Sequence, residues 1–169
     1  MFDGLFTVAL KPSGAFSEAL KARGFDPDRP EPEYPLAVWH DCLDVAWQQL
    51  YPLESRERAW WLLGERFLEG YLQTLVGRLI GAALPLLSAR TFVTRSPRFV
   101  ATGLQGAALE LVWQGERDAV VHLTNLPPPS AHLTAGVVTV CMKRMKVSGV
   151  QLDPTPLDGG GCSLRIRWS

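Results

Sequence analysis

The hydrophobic positions of this chain change period near its middle: up to about residue 103 they recur every three or four residues, and beyond it every second residue. Leu5 to Leu10 is a short apolar run with the length of a leading strand. Ser13 then offers an N-cap and Gly24 a stop for a first helix through Phe16 and Leu20. From Phe25 to Pro35 there are four prolines in eleven residues, each lacking an amide donor and restricting its predecessor, so a loop or strap is predicted. Pro35 suits the first turn of a second helix, whose Trp39, Leu43, Ala46, Trp47 and Leu50 share a stripe and which Tyr51-Pro52 ends. A third helix is predicted from near Ser55 to beyond Arg78. Its stripe of Trp60, Leu63, Phe67, Tyr71, Leu75 and Leu79 should be the centre of the core. Pro85 permits a kink or break before Leu86 to Arg95, and Pro97 closes the helical half.

In the second half Leu109, Leu111 and Trp113 alternate with Ala108, Glu110 and Val112, which marks a strand. Gly115 to Asp118 supplies turn chemistry, and Ala119 to Asn125 reads as the returning strand. After Pro127-Pro128-Pro129, Ser130 is placed to cap a helix with Leu133, Val137, Val140, Cys141 and Met145 on its apolar face. Lys143, Arg144 and Lys146 cluster at its C-terminal end, where the helix dipole favours cations, and Gly149 terminates it. Val150 to Thr155 and Cys162 to Trp168 form a second hairpin around Pro156 to Gly161. Cys162, Leu164, Ile166 and Trp168 supply its dry face, and Ser163, Arg165 and Arg167 its wet one. The expected fold is α+β: a helical N-terminal half packed on a C-terminal antiparallel sheet with β-β-α-β-β order. It forms one domain over 1–169, with a mainly helical part over 1–103 and a sheet-containing part over 104–169.

Composition narrows the partners. The 17 basic and 17 acidic side chains cancel, leaving no global electrostatic footprint for nucleic acid or an anionic membrane. Three widely spaced cysteines argue against a disulfide framework and for a reducing, cytoplasmic setting. Leu72 to Leu87 is interrupted by Gln73, Arg78 and Pro85, far short of the roughly 20 apolar residues needed to span a bilayer. The start lacks the basic region of a signal peptide.

Candidate chemistry is sparse. His40, Asp41, Cys42 and Asp44 combine metal-ligand and nucleophile types, but His40 and Cys42 lie about 200° apart on a helix, and only His40 and Asp44 share a face. An exposed helix surface with Cys42 partly buried accounts for them. His122 and His132 read as surface or hydrogen-bonded imidazoles. Arg95, Arg98, Arg165 and Arg167 fit a solvated sheet face and helix end as well as an anion site. Asp158-Gly159-Gly160-Gly161 lacks the Lys-Ser/Thr of a phosphate loop and joins two strands. No catalytic residue, metal ligand or cofactor-binding residue is expected.

Several segments taken together carry a resemblance: Gly24-Phe25-Asp26, Tyr34-Pro35, Leu50-Tyr51-Pro52, Leu63-Gly64 to Arg78, Ser96-Pro97-Arg98-Phe99 with Thr102-Gly103, and Leu164 to Trp168. Over nearly the whole chain the sequence resembles an uncharacterised, highly paralogous family expanded in myxobacteria. Relatives often carry an asparagine pair and a tyrosine after the Thr-Gly, where this chain has Leu104-Gln105-Gly106. The element order, with Ala135-Gly136-Val137 in the last helix, is similar to the wider superfamily of haem and nitric-oxide binding domains, vinyl-4-reductase-type sensors and TRAPP tethering subunits. That resemblance implies a cavity between helices and sheet, frequent pairing into dimers, and binding in place of turnover. Haem-binding members carry a Tyr-x-Ser-x-Arg group for the propionates, which this chain lacks, so no haem is expected.

The reading that follows is a non-enzymatic binding or regulatory module acting by protein-protein interaction. The alternative is a sensor holding a small apolar ligand or acyl chain in a helix-sheet cavity. The candidate pocket or interface is Trp60, Trp61, Phe67, Tyr71, Thr74, Gly77, Arg78 and Gly81, with Gly70, Gly77 and Gly81 as points of close backbone approach. Adjacent Trp60 and Trp61 cannot enter one core, which points to a homodimer contact through the helical half.

Overall fold

The computed structural model describes residues 2–103, 108–158 and 161–169, with the side chains of 98–103 excepted. A π-helix over Asp3–Leu10 opens the chain, followed by α1 (Ala15–Lys21), α2 (Leu36–Leu50), α3 (Arg56–Tyr71) and α4 (Leu75–Ala83). A 3-10 turn over Leu84–Leu86 leads into α5 (Ala89–Gly103), and then come β1 (Ala108–Gly115), β2 (Asp118–Thr124), α6 (Ser130–Arg144), β3 (Gln151–Pro156) and β4 (Cys162–Arg167). The fold is α+β, with a helical N-terminal part and one four-stranded antiparallel sheet in the order β1-β2-β4-β3. Register follows the alternation: Trp113, Ala119, Ile166 and Leu152 stand side by side across the sheet on the dry face.

The layers are ordered by α6, which lies between α3 and the sheet and is buried on both sides through Ala131, Ala135, Gly136, Val138, Cys141 and Met142. Its crossing with α3 is a contact of backbones. A Cβ on Gly64 would strike the Leu133 carbonyl and stand 3.2 Å from the Gly136 Cα, and a Cβ on Gly136 would strike the Trp61 carbonyl and stand 2.8 Å from the Glu65 nitrogen. Only hydrogen fits at either position. One core fills the space among α3, α5, α6 and the sheet. A second lies on the other side of α3, built by the π-helix, α1, α2 and the Pro-rich strap around Phe2, Phe6, Phe25 and Trp39.

Several sequence expectations are corrected. Leu5 to Leu10 is not a strand: the segment is a π-helix whose Lys11 amide donates to the Phe6 carbonyl. Docking decides this, since Gly4 lies on the Tyr71 backbone and Gly70 lies under the Gly4 carbonyl and 2.7 Å from the Ala9 Cβ, measured from the Cβ it lacks. Gly14, not Ser13, stands before α1, and Pro35 precedes α2 instead of entering its first turn. The long third helix breaks after Tyr71. The Thr74 hydroxyl donates to the Tyr71 carbonyl at 2.7 Å and accepts from the Gly77 amide at 3.1 Å, ending one helix and capping the next.

Leu75 and Leu79 are therefore 81 % and 72 % exposed and not central to the core. Pro97 does not close the helical half either. It sits inside α5, where the Val93 carbonyl that a proline leaves without an amide partner accepts instead from the Ser96 hydroxyl at 2.8 Å. Ser130 is the first residue of α6 and its buried hydroxyl has no partner, so it is not the cap. That helix is terminated by Lys146 at φ 58°, ahead of Gly149, with Val147 donating to the Met142 carbonyl. Gly24, at φ 92°, does stop α1 as expected.

Replacing Gly136 by alanine is expected to lower stability by roughly 2–3 kcal/mol, although alanine would add about 1 kcal/mol in an unconstrained helix. Urea denaturation measures the difference. An unchanged or raised midpoint would show that α3 and α6 can part without loss.

Candidate functional site

The two tryptophans in the first half of α3 enter different cores. Trp60 is fully buried in the N-terminal core, and its indole Nε1 donates to Asp44 Oδ1 at 3.0 Å. Arg56 holds the same carboxylate with two hydrogen bonds, Nε to Oδ1 at 2.8 Å and a terminal nitrogen to Oδ2 at 2.7 Å, and its guanidinium lies 5.3 Å from the Trp60 ring. His40, one turn before Asp44 on α2, stacks on Trp60 with 5.7 Å between ring centres. The residues that looked reactive in the sequence are thus a seat for one indole. Cys42 is more buried than expected, fully enclosed, and burial pushes its thiol up to about 12, far from a thiolate nucleophile at neutral pH.

Trp61 turns toward the sheet-side core and is half-buried there, with its Nε1 donating to Glu65 Oε1 at 3.0 Å. Phe67 packs on the N-terminal side, edge-on to Trp39 at 5.9 Å, whereas Tyr71 joins the sheet side. Thr74 caps α4, and Gly77 presses, as expected of a close backbone approach, against the Tyr71 carbonyl at the C-terminal end of α3. Arg78 is exposed and its Nε donates to the Gln73 carbonyl at 3.1 Å. At Gly81 a Cβ would meet only the end of the Leu72 side chain, at 3.3 Å. The eight expected pocket residues are distributed over two cores and a cap, and they do not converge on one cavity.

What the helical periodicity missed is the outer face of α4 and the turn after it. Leu75, Val76, Leu79 and Leu86 keep 81, 57, 72 and 85 % of their surface, with Ala82 and Ala83 exposed between them. The sequence held a signal for this: Leu75, Leu79, Ala82 and Leu86 follow the 4-3-4 spacing of a helix-pairing seam, and the single helix assumed through residue 74 hid it.

Other groups are accounted for. Arg165 pairs with Asp118 and Arg167 with Asp153, both at 2.6 Å on the wet sheet face. Arg90 lies 4.2 Å over Trp113, beside an open surface cleft of about 350 Å³ that Arg117, Glu116 and Trp168 also line. The side chain of Arg98, Leu104-Gln105-Gly106 and Gly159-Gly160 lie outside the described residues. No described group of three His, Cys, Asp or Glu side chains is placed to hold a metal, and no described helix is long and apolar enough to cross a membrane.

The comparisons with known proteins come to a family of unassigned activity and to one fold. Residues 1–169 match the model of the family described as "Protein of unknown function (DUF2378)". No curated protein matches the chain. Among solved structures, a Cs H-NOX mutant carrying an unnatural 4-cyano-phenylalanine aligns with a TM-score of 0.64 at 13 % identity, covering 98 % of this chain and 92 % of that one. An oxygen-binding H-NOX domain related to soluble guanylate cyclases aligns at 0.62 with 14 % identity, covering 91 % and 84 %. A mutant T. tengcongensis H-NOX aligns at 0.58 with 14 % identity, covering 91 % and 86 %. At these identities the likeness establishes a shared fold.

Haem, which other proteins of this fold hold, does not fit the residues present. His40 is stacked on Trp60 and His122 is on the outer face of β2, while His132, in the first turn of α6, has a buried Nδ1 without a hydrogen-bond partner and lies near Glu57. Among the described residues, leucine, valine and phenylalanine side chains of α3, α5, α6 and the sheet pack against one another in the volume between them.

Burial lowers the pKa of both His40 and His132, against the weaker pull of Asp44 and Glu57 respectively. The unfolded chain therefore takes up protons first on acidification, and stability present above the ordinary imidazole range falls as the pH drops through the lowered values. Urea midpoints between pH 8 and pH 5 should decline over this window, and the decline should flatten in a His40→Gln, His132→Gln double variant. An equal slope in wild type and variant would refute the assignment.

Proposed function

The chain belongs to the DUF2378 family, which has no assigned activity, and we propose that it is a non-enzymatic regulatory module that works by protein-protein contact on an H-NOX-like scaffold. One observation carries this reading: the described apolar side chains of both cores pack on one another while the leucine face of α4 is left in solvent. Burying such a face is the main free energy a helix surface offers a partner, at about 25 cal/mol per Å² of apolar area. The scarcity of charge along α4, where Arg78 is the one charged residue between Glu69 and Arg90, suits an apolar contact better than a nucleic acid. The buried thiols and the stacking of His40 on Trp60 support binding in place of turnover.

The H-NOX likeness supports a second reading, a sensor for a small apolar ligand that enters by displacing side chains of the sheet-side core. Native mass spectrometry of untagged protein from its own host, with an absorption spectrum before and after haemin addition, separates the two. Interaction through α4 predicts the bare polypeptide mass and no Soret band. A stoichiometric small ligand, or a Soret band that persists through gel filtration, would replace the first reading with the second.

A further inference from the structure

We infer that the partner of the α4 face is α4 of a second copy of this chain. The inward side of α4 holds Gly77 and Ile80, with the buried Leu84 following, while Leu75, Val76 and Leu79 face out. The exposed side is graded along its length. Its first half carries the bulky residues, and its second half carries Ala82 and Ala83 before Leu86.

Two copies related by a two-fold axis through the middle of the helix run antiparallel. Leu75 and Val76 of each then meet Ala83 and Ala82 of the other, and Leu79 meets its own copy at the axis, so that knobs and holes both come from one sequence. Antiparallel helices also align their dipoles favourably. Arg78 is drawn back to the Gln73 carbonyl and leaves the seam uncharged, and a chain with 17 basic and 17 acidic residues carries no net charge to hold copies apart.

The size of the patch agrees with a dimer. Four large apolar residues at 57–85 % exposure amount to on the order of 500 Å², near the top of what a monomer leaves in one patch. Two such patches reach the roughly 1,000 Å² that a specific interface needs. A membrane surface is a poorer occupant: a helix that lies in the headgroup layer keeps a Lys/Arg-rich polar face, whereas the opposite side of α4 presents Gly77 and Ile80 to the protein and α4 carries Arg78 as its one charged residue. The Trp60–Trp61 pair, which first suggested self-association, is used within the two cores and takes no part in this contact.

The dimer rests on the interaction-module reading and names its partner; a retained ligand would sink that reading, whereas a monomer sinks only the dimer. Sedimentation velocity of the whole chain should show a reversible dimer at high micromolar concentration. Leu79→Glu should weaken it at least about thirtyfold, with the circular dichroism spectrum unchanged because the position is solvent-exposed. Leu53→Glu, at a 98 % exposed site on the turn before α3, should leave the dimer intact. As a check independent of Leu79→Glu folding, Ala82→Cys should be joined into covalent dimers by a short bis-maleimide, since the native Cys42, Cys141 and Cys162 are all buried. A wild-type monomer at that concentration, a Leu79→Glu protein that still dimerises, an uncrosslinked Ala82→Cys protein, or a monomer that binds anionic vesicles through α4 would each overturn the proposal.

Discussion

The rest of the structure depends on the crossing of α3 over α6 at Gly64 and Gly136. A Cβ at either site would meet carbonyl oxygen of the other helix, so the spacing of the two backbones is set by glycine and admits no relaxation through a flexible side chain. Because α6 is also the helix that covers β3 and β4, this one contact fixes the distance from the sheet to α3. The N-terminal core is then hung on the far face of α3, and moving α3 outward would open both cores at once.

That arrangement explains the paired tryptophans. A helix with a core on each side can use adjacent aromatic residues, since successive positions are about 100° apart and each indole finds its own apolar volume. Trp60 has to satisfy one N–H in the drier of the two volumes, and the Asp44 carboxylate does so while held by Arg56. The acid and the imidazole beside it are consumed by this task. Polar residues clustered in the sequence thus serve a buried ring.

The break after Tyr71 has the opposite effect, releasing apolar surface. Thr74 and Gly77 together form a cap against the last turn of α3, and the chain leaves in a new direction. Had the helix continued, Leu75 and Leu79 would have extended the buried stripe of Leu63 and Trp60. The redirected helix instead carries them to the surface, where burial has to come from outside the chain.

Much of this was written locally. The change from a helical to a two-residue period, the β-β-α-β-β order, the strap at Phe25 to Pro35 and the dry faces of β2 and β4 follow from patterns a few residues long, because side-chain alternation and proline's missing amide act locally. Family membership was legible for a related reason: the run from Leu63 to Arg78 encodes contacts too particular to be generic. The tertiary structure decided the remainder. Leu5 to Leu10 has a strand's composition and becomes a π-helix because Gly70 offers it a close seat, Pro97 continues a helix because Ser96 satisfies the freed carbonyl, and Gly64, not Gly81, makes the essential backbone contact. The same holds for the candidate surface: periodicity tells which residues share a face, but whether that face meets the core depends on where Thr74 turns the chain relative to α3, which no local pattern specifies.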